Sequence, residues 1–265
     1  MSFFKQVLRR RIAIGAAIVL PLAALAVPAA ANHSWAGYHW ARTANPFTLK
    51  LGDNVDAKWD SYLVTTDSDW TASAVLNTTI VAGSTTGKRC SATAGRVEVC
   101  NAAYGNRGWL GIASISLNGT HITQGTVKLN DSYFDTPQYN TPAWRNVVSC
   151  QEVGHTLGLD HQDEVFTNPD LNTCMDYSNN PVPNQHPNAH DFEQLVTIYQ
   201  HLDTSTTIGA QTAAVAEVGD SPAEWGRPVR FDRQGRPNVF ERSDGQGRTT
   251  LTHVFWAIGE GPRGR

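Results

Sequence analysis

The 265-residue chain predicts an α+β fold on three observations. Apolar and β-branched runs at 109–117 and 122–129 flank Asn118-Gly119, a dipeptide that signals a tight hairpin. Residues 144–157 carry apolar side chains at helical spacing and stop before Gly158. Residues 190–202 return to that spacing through Phe192, Leu195, Ile198 and Tyr199.

Taken in order, residues 1–31 read as an export signal. Lys5, Arg9, Arg10 and Arg11 give a positive start, 12–27 are apolar, and Ala29-Ala30-Ala31 offer small residues for cleavage before Asn32. An uncleaved anchor is the alternative; Pro21 and the short apolar run disfavour it. A main domain is expected over 32–203. It opens on the aromatic stretch 35–42, followed by an alternating strand at 47–51. Trp59, Leu63 and Trp70 then recur at roughly helical spacing, which predicts a helix over 55–72. Strands follow at 76–81 and 96–100, then the hairpin, then the 144–157 helix. Residues 160–186, rich in Asp, Asn and Pro, should be irregular. Residues 204–222 read as a Thr-, Ala- and Gly-rich linker. Residues 223–265 read as a small β appendage, with strands at 225–231 and 251–256 and turns at 234–237 and 244–247. So short a segment builds little core alone and should pack on the main domain.

The chemistry concentrates in residues 151–161, Gln-Glu-Val-Gly-His-Thr-Leu-Gly-Leu-Asp-His. This is the zinc-site pattern H-E-x-x-H-x-x-G-x-x-H with Gln151 in the first histidine position. Positions four apart share a helix face, so Gln151 and His155 point the same way. Gly158 allows a sharp turn that returns His161 toward His155. Glu152, beside them, is placed to take a proton from an activated water.

Residues 147–161, Val-Val-Ser-Cys-Gln-Glu-Val-Gly-His-Thr-Leu-Gly-Leu-Asp-His, resemble the active-site helix and turn of the metzincin zinc proteases, most closely the matrixins. Met175, in Thr173-Cys174-Met175-Asp176-Tyr177, matches the family's Met-turn. The spacing of Met175 and Tyr177 is more like that of astacins and serralysins. The resemblance covers residues 33–202 and is strongest at 144–177. It implies a mixed sheet, an active-site helix, a Met-turn and a closing helix. It further implies a secreted zinc endopeptidase acting on peptide or protein substrates, with Glu152 as general base and Tyr177 assisting the oxyanion. By chain order it assigns Leu110, Gly111, Ile112 and Ala113 to a sheet edge that pairs with extended substrate.

Three readings of the ligand set stay open. Gln151 ligates zinc through its amide oxygen alongside His155 and His161, although an amide is a poorer donor than imidazole. Alternatively another histidine completes the set, with His186, His190 and His253 as candidates that no spacing separates. In the third reading the chain is a binding protein with feeble or no catalysis. A zinc hydrolase of another class, such as an amidase on cell-wall peptides, is a weaker alternative. The intact Glu152 favours an enzyme. One zinc is expected. Calcium is compatible with the chain but has no motif here, and no segment resembles a cysteine-switch pro-region.

Four cysteines in an exported chain suggest two disulfides. Of three pairings, Cys90 with Cys100 and Cys150 with Cys174 are favoured; the second would brace the metal helix against Met175. Cys150 or Cys174 as zinc ligand is the rival reading. Residues 1–31 hold four of the 21 Lys+Arg and none of the 24 Asp+Glu, so the remainder carries a formal charge of −7. That balance disfavours nucleic acid and suits a secreted monomer without a membrane partner once the signal is removed.

Overall fold

The computed structural model describes residues 32–211 and 217–262; the segment read as an export signal lies outside them. Its strands are β1 (His39–Trp40), β2 (Phe47–Asn54), β3 (Leu76–Ala82), β4 (Val97–Ala102), β5 (Trp109–Asn118) and β6 (His121–Asn130). Three more follow late in the chain: β7 (Arg227–Phe231), β8 (Pro237–Ser243) and β9 (Arg248–Trp256). Among the described residues they form one mixed sheet in the order β3-β2-β4-β6-β5-β9-β8-β7, with β1 beside the start of β6. The pairs among β2, β3, β4 and β6 are parallel. From β6 through β5, β9, β8 and β7 each pair is antiparallel. The Asn118-Gly119 turn is a tight hairpin, with Asn118 opposite His121 and Gly119 at φ +61°.

The helices are α1 (Asp60–Thr71), α2 (Asp131–Phe134), α3 (Pro142–Thr156) and α4 (Ala189–Ile198). Helix α1 starts later than its apolar spacing suggests, because residues 56–59 form a turn closed by Trp59 N–H on Asp56 O. Helix α3 starts earlier than expected. Pro142 opens it, where a missing N–H costs nothing, and the Thr141 side chain accepts from Trp144 N–H. It ends at Gly158, whose φ of +93° and contact with the Tyr38 carbonyl leave no room for a Cβ. Helix α4 is held by a capping box between Asn188 and Asp191.

One apolar core lies between α1, α3 and the sheet and includes Trp40, Leu49, Leu63, Trp70, Val148 and Val153. A second, on the opposite face, joins Trp109, Ile112, Trp225, Phe240, Val254 and Trp256. The alternation along β9 supplies both: Leu251 and Phe255 go to the first and Val254 and Trp256 to the second. The C-terminal strands therefore continue the main sheet. Strand β8 has no counterpart among the expected strands, since the turn read at 234–237 takes in its first residue, Pro237. Strand β7 forms the outer edge, with register shifts near Pro228 and Arg230. The stretch read as a linker is partly anchored: Thr207 N–H donates to Ala41 O and Gly209 N–H to Gly95 O. Disulfides join Cys90 to Cys100 and Cys150 to Cys174. No described helix is long and apolar enough to cross a membrane.

Candidate metal centre

Helix α3, the turn after it and strand β9 meet at three imidazoles. His155 comes from the last turn of α3, and His161 follows the Gly158 turn. His253 arrives from β9, opposite Ala113 of β5. One ring nitrogen from each lies within 4.8 Å of the others. The ring centroids are 3.8 Å apart for His155–His253, 4.8 Å for His155–His161 and 4.6 Å for His161–His253.

Each ring is oriented through its other nitrogen. His155 Nδ1 lies 2.9 Å from Leu159 O and donates to it. His161 Nδ1 faces Glu164 Oε1 at 3.3 Å, and that carboxylate is held by Asn238 and Arg230. His253 Nε2 lies 3.2 Å from the Tyr177 hydroxyl, which also accepts from Asn238 Nδ2 at 3.2 Å. With Nε2–H donating to Tyr177, His253 presents the lone pair of Nδ1. His155 Nε2, His161 Nε2 and His253 Nδ1 are buried and form no hydrogen bond within the protein. Buried polar atoms are rarely left so. Three converging lone pairs, each backed by an outer partner, fit a divalent metal such as zinc.

Glu152 is fully buried, with Oε2 3.7 Å from His253 Nδ1. A Cβ at Gly111 would come within 3.0 Å of Glu152 Oε1, so the missing side chain lets this carboxyl lie against β5. Burial pushes the Glu152 carboxyl well above the usual range, although the Ala113 N–H opposes the shift. Burial, and then the neighbouring imidazoles, hold His155 and His253 well below the ordinary histidine value. Burial raises the Tyr177 hydroxyl.

The other expected residues fall into supporting places. Gln151 is fully buried, and its amide NH2 donates to Cys174 O at 2.6 Å; its oxygen makes no hydrogen bond. Met175 is fully buried, with its sulfur against Gly154 of α3. The Cys150–Cys174 bridge ties α3 to the residue before Met175. His186 bonds Asp69 at 2.9 Å, and His190 lies near Glu193 at 3.7 Å; neither belongs to the three-imidazole group.

One expectation needs correction. Leu110, Gly111, Ile112 and Ala113 do not form a free edge, because β5 is paired with β9 along this stretch. Of the three candidate histidines, His253 is the one that lies beside His155 and His161. The reason is the C-terminal segment, whose inward-facing side chain in register with Ala113 is His253. Glu152, His155, His253 and Tyr177 are each at most 3% exposed, so the described state offers substrate no approach to them.

Sequence reasoning missed Glu164, Asn238 and Arg230. It also missed Trp35, whose ring lies edge-on to His155 and His253 at 5.7 and 6.3 Å. An acid three residues after His161 was the one available signal.

No family model and no curated protein matches the chain. Among solved structures it is similar to the crystal structure of myroilysin, with 16% identity, a TM-score of 0.34, and coverage of 66% of this chain and 97% of that one.

Proposed function

We propose that the chain is a zinc-dependent endopeptidase of the metzincin type, exported and held closed by its own C-terminal strand. The observation that carries this is the convergence of three unbonded imidazole nitrogens beside a buried glutamate, on the very helix and turn where the sequence resembles those proteases. His155 and His161, joined in the closed state by His253, would hold the ion, and Gln151 would brace α3 against the Cys174 segment. When bound, zinc supplies Lewis-acid polarisation of a peptide carbonyl and acidifies water.

The chain's own residues perform the rest. Glu152 takes a proton from the attacking water and returns it to the leaving amine. Once β9 leaves, His253 no longer stands beside Tyr177, and the Tyr177 O–H can turn toward a developing oxyanion. Displacement would also restore β5 as an edge for extended substrate, along Leu110 to Ala113. The two disulfides suit an oxidising compartment.

The complete burial of the site supports a second reading, a binding protein on the same scaffold. Casein cleavage by the chain lacking residues 1–31, with and without chelator, separates the two. It should be measured beside a chain ending at residue 222 and, in case that truncation does not fold, beside His253→Ala in excess zinc. Slow cleavage by the full chain, and faster, chelator-sensitive cleavage by an opened form, is expected. Zinc-loaded but inert opened forms would favour the binder, and chelator-insensitive cleavage would remove the metallopeptidase reading.

A further inference from the structure

A second constellation lies outside the site just described, where the chain after α4 meets β1 and the start of β6. We propose that His39, His121, His201 and Asp203 form a closed tetrahedral site for a second metal ion of the zinc class. It needs no assumption about peptidase activity.

The ligands come from three separate parts of the chain. His39 is in β1 and His121 opens β6, and the two are register partners in the parallel β1–β6 pair, so both are fixed by backbone pairing. His201 and Asp203 lie in the segment after α4. Asp203 N–H donates to Arg42 O at 2.9 Å, which ties that segment to the residue two beyond β1.

His39, His121 and Asp203 each bring one ligand atom within 4.8 Å of the others, and His201 adjoins His39 and Asp203. Asp203 Oδ1 lies 3.6 Å from His39 Nε2, 3.2 Å from His121 Nε2 and 3.7 Å from His201 Nε2. His39 Nε2 and His201 Nε2 are 3.2 Å apart. Tetrahedral coordination with bonds of about 2.0–2.1 Å requires ligand atoms roughly 3.3–3.4 Å apart. Four of the six edges of such a tetrahedron thus fall within a few tenths of an ångström of that spacing.

The protonation pattern agrees. His39 Nδ1 donates to Gly37 O at 2.8 Å, which leaves Nε2 as a lone pair aimed at the centre. The two oxygens of Asp203 divide their work: Oδ2 accepts from Arg42 Nη1 at 2.9 Å and from Arg42 N–H at 3.1 Å, leaving Oδ1 to the imidazoles. Arg42 also donates to the His201 carbonyl, so one buried guanidinium positions both members of His201-x-Asp203.

The site is half open. The His39 and Asp203 side chains are 7% and 10% exposed, but those of His121 and His201 are 37% and 49% exposed, so an ion can enter from solvent. Four protein ligands leave no position for substrate, which marks a structural role. The ion would staple β1, the β5–β6 hairpin and the chain after α4.

The test is a zinc count by elemental analysis after equilibration in zinc-buffered solution and removal of loose ion. The full described chain should hold two equivalents. Replacing the exposed pair, His121→Ala with His201→Ala, should remove one equivalent and leave the far-ultraviolet circular dichroism unchanged. In a His155→Ala, His161→Ala background one equivalent should remain, and the exposed-pair change should remove it. Should the double variant unfold, His201→Gln alone replaces it, with cobalt(II) absorption of the tetrahedral type as the readout. Equal zinc in the parent and the exposed-pair variant, or no tetrahedral cobalt spectrum in the His155→Ala, His161→Ala background, would overturn the proposal.

Discussion

Two histidine clusters sit in one domain, and they differ in almost every respect that matters for chemistry. The His155–His161–His253 group is buried, has no carboxylate in the ring of ligand atoms, and lies beside the buried Glu152. The His39–His121–His201–Asp203 group is at the rim, includes an anion, and is backed by the Arg42 guanidinium. A structural site gains from a complete set of donors, since nothing has to enter. A catalytic site needs an exchangeable position and a base nearby. In the buried cluster the third imidazole, His253, is carried by the last strand, so displacing that strand would free a position. The difference teaches that three imidazoles in proximity do not define a role; the neighbour on the fourth side does.

The comparison can be broken most directly at Glu152. In an opened form, Glu152→Ala should cut casein cleavage by about 100- to 10,000-fold while zinc remains bound, since general acid–base catalysis is worth that much. A variant that keeps cleaving would remove Glu152 as the general base. Next in size is His253→Ala. Outer partners of zinc ligands alone are worth about 10–100-fold in affinity, so loss of a ligand should weaken zinc at the buried site by more than about 100-fold. Competition with a chromogenic chelator reads this, and the rim site should keep its ion.

Removal of the Cys150–Cys174 bridge, as Ala at both positions, opens a 24-residue separation and should cost about 3 kcal/mol in urea unfolding. The loss should fall on the buried cluster, because this bridge holds α3 to the Met175 segment, and zinc at the rim should persist. The smallest effect is expected at Asp176, beside Tyr177. Burial, with Asp163 and Asp170 nearby, raises its carboxyl to about 6. A folded-state value above the unfolded one means that the folded state binds the extra proton. The carboxylate therefore destabilises the fold progressively as pH rises from about 4 to about 6, and fully above that. Asp176→Asn should add about 1 kcal/mol at pH 7.5 and nothing at pH 4, as read by thermal unfolding at the two pH values.

Much of the buried cluster could be read from the letters because it is local. His155 and His161 are six residues apart on a helix and its turn, and the geometry of that unit is fixed by the 3.6-residue period and Gly158. His253 is ninety-two positions further on, and its place depends on the register of β9 against β5, which no spacing encodes. The sequence named it only as one of three candidates for that reason. The rim site is harder still: His39 and His121 meet through a two-residue strand, too short to show a period. The hairpin at Asn118-Gly119 and the end of α3 at Gly158 were legible from turn chemistry. The covering of β5 was not, because strand pairing over such a distance is decided by packing of both faces of β9, not by local preference.

Incorporating β5 into the middle of the sheet moves the exposed hydrogen-bonding border to β7. That strand is poorly suited to recruit another chain. Pro228 has no N–H to offer, Arg227 projects a charge into solvent, and two register shifts interrupt its ladder. Such features guard a sheet border against self-association. The closing segment therefore does two jobs with three strands: it screens a sticky inner rim and replaces it with an inhospitable one.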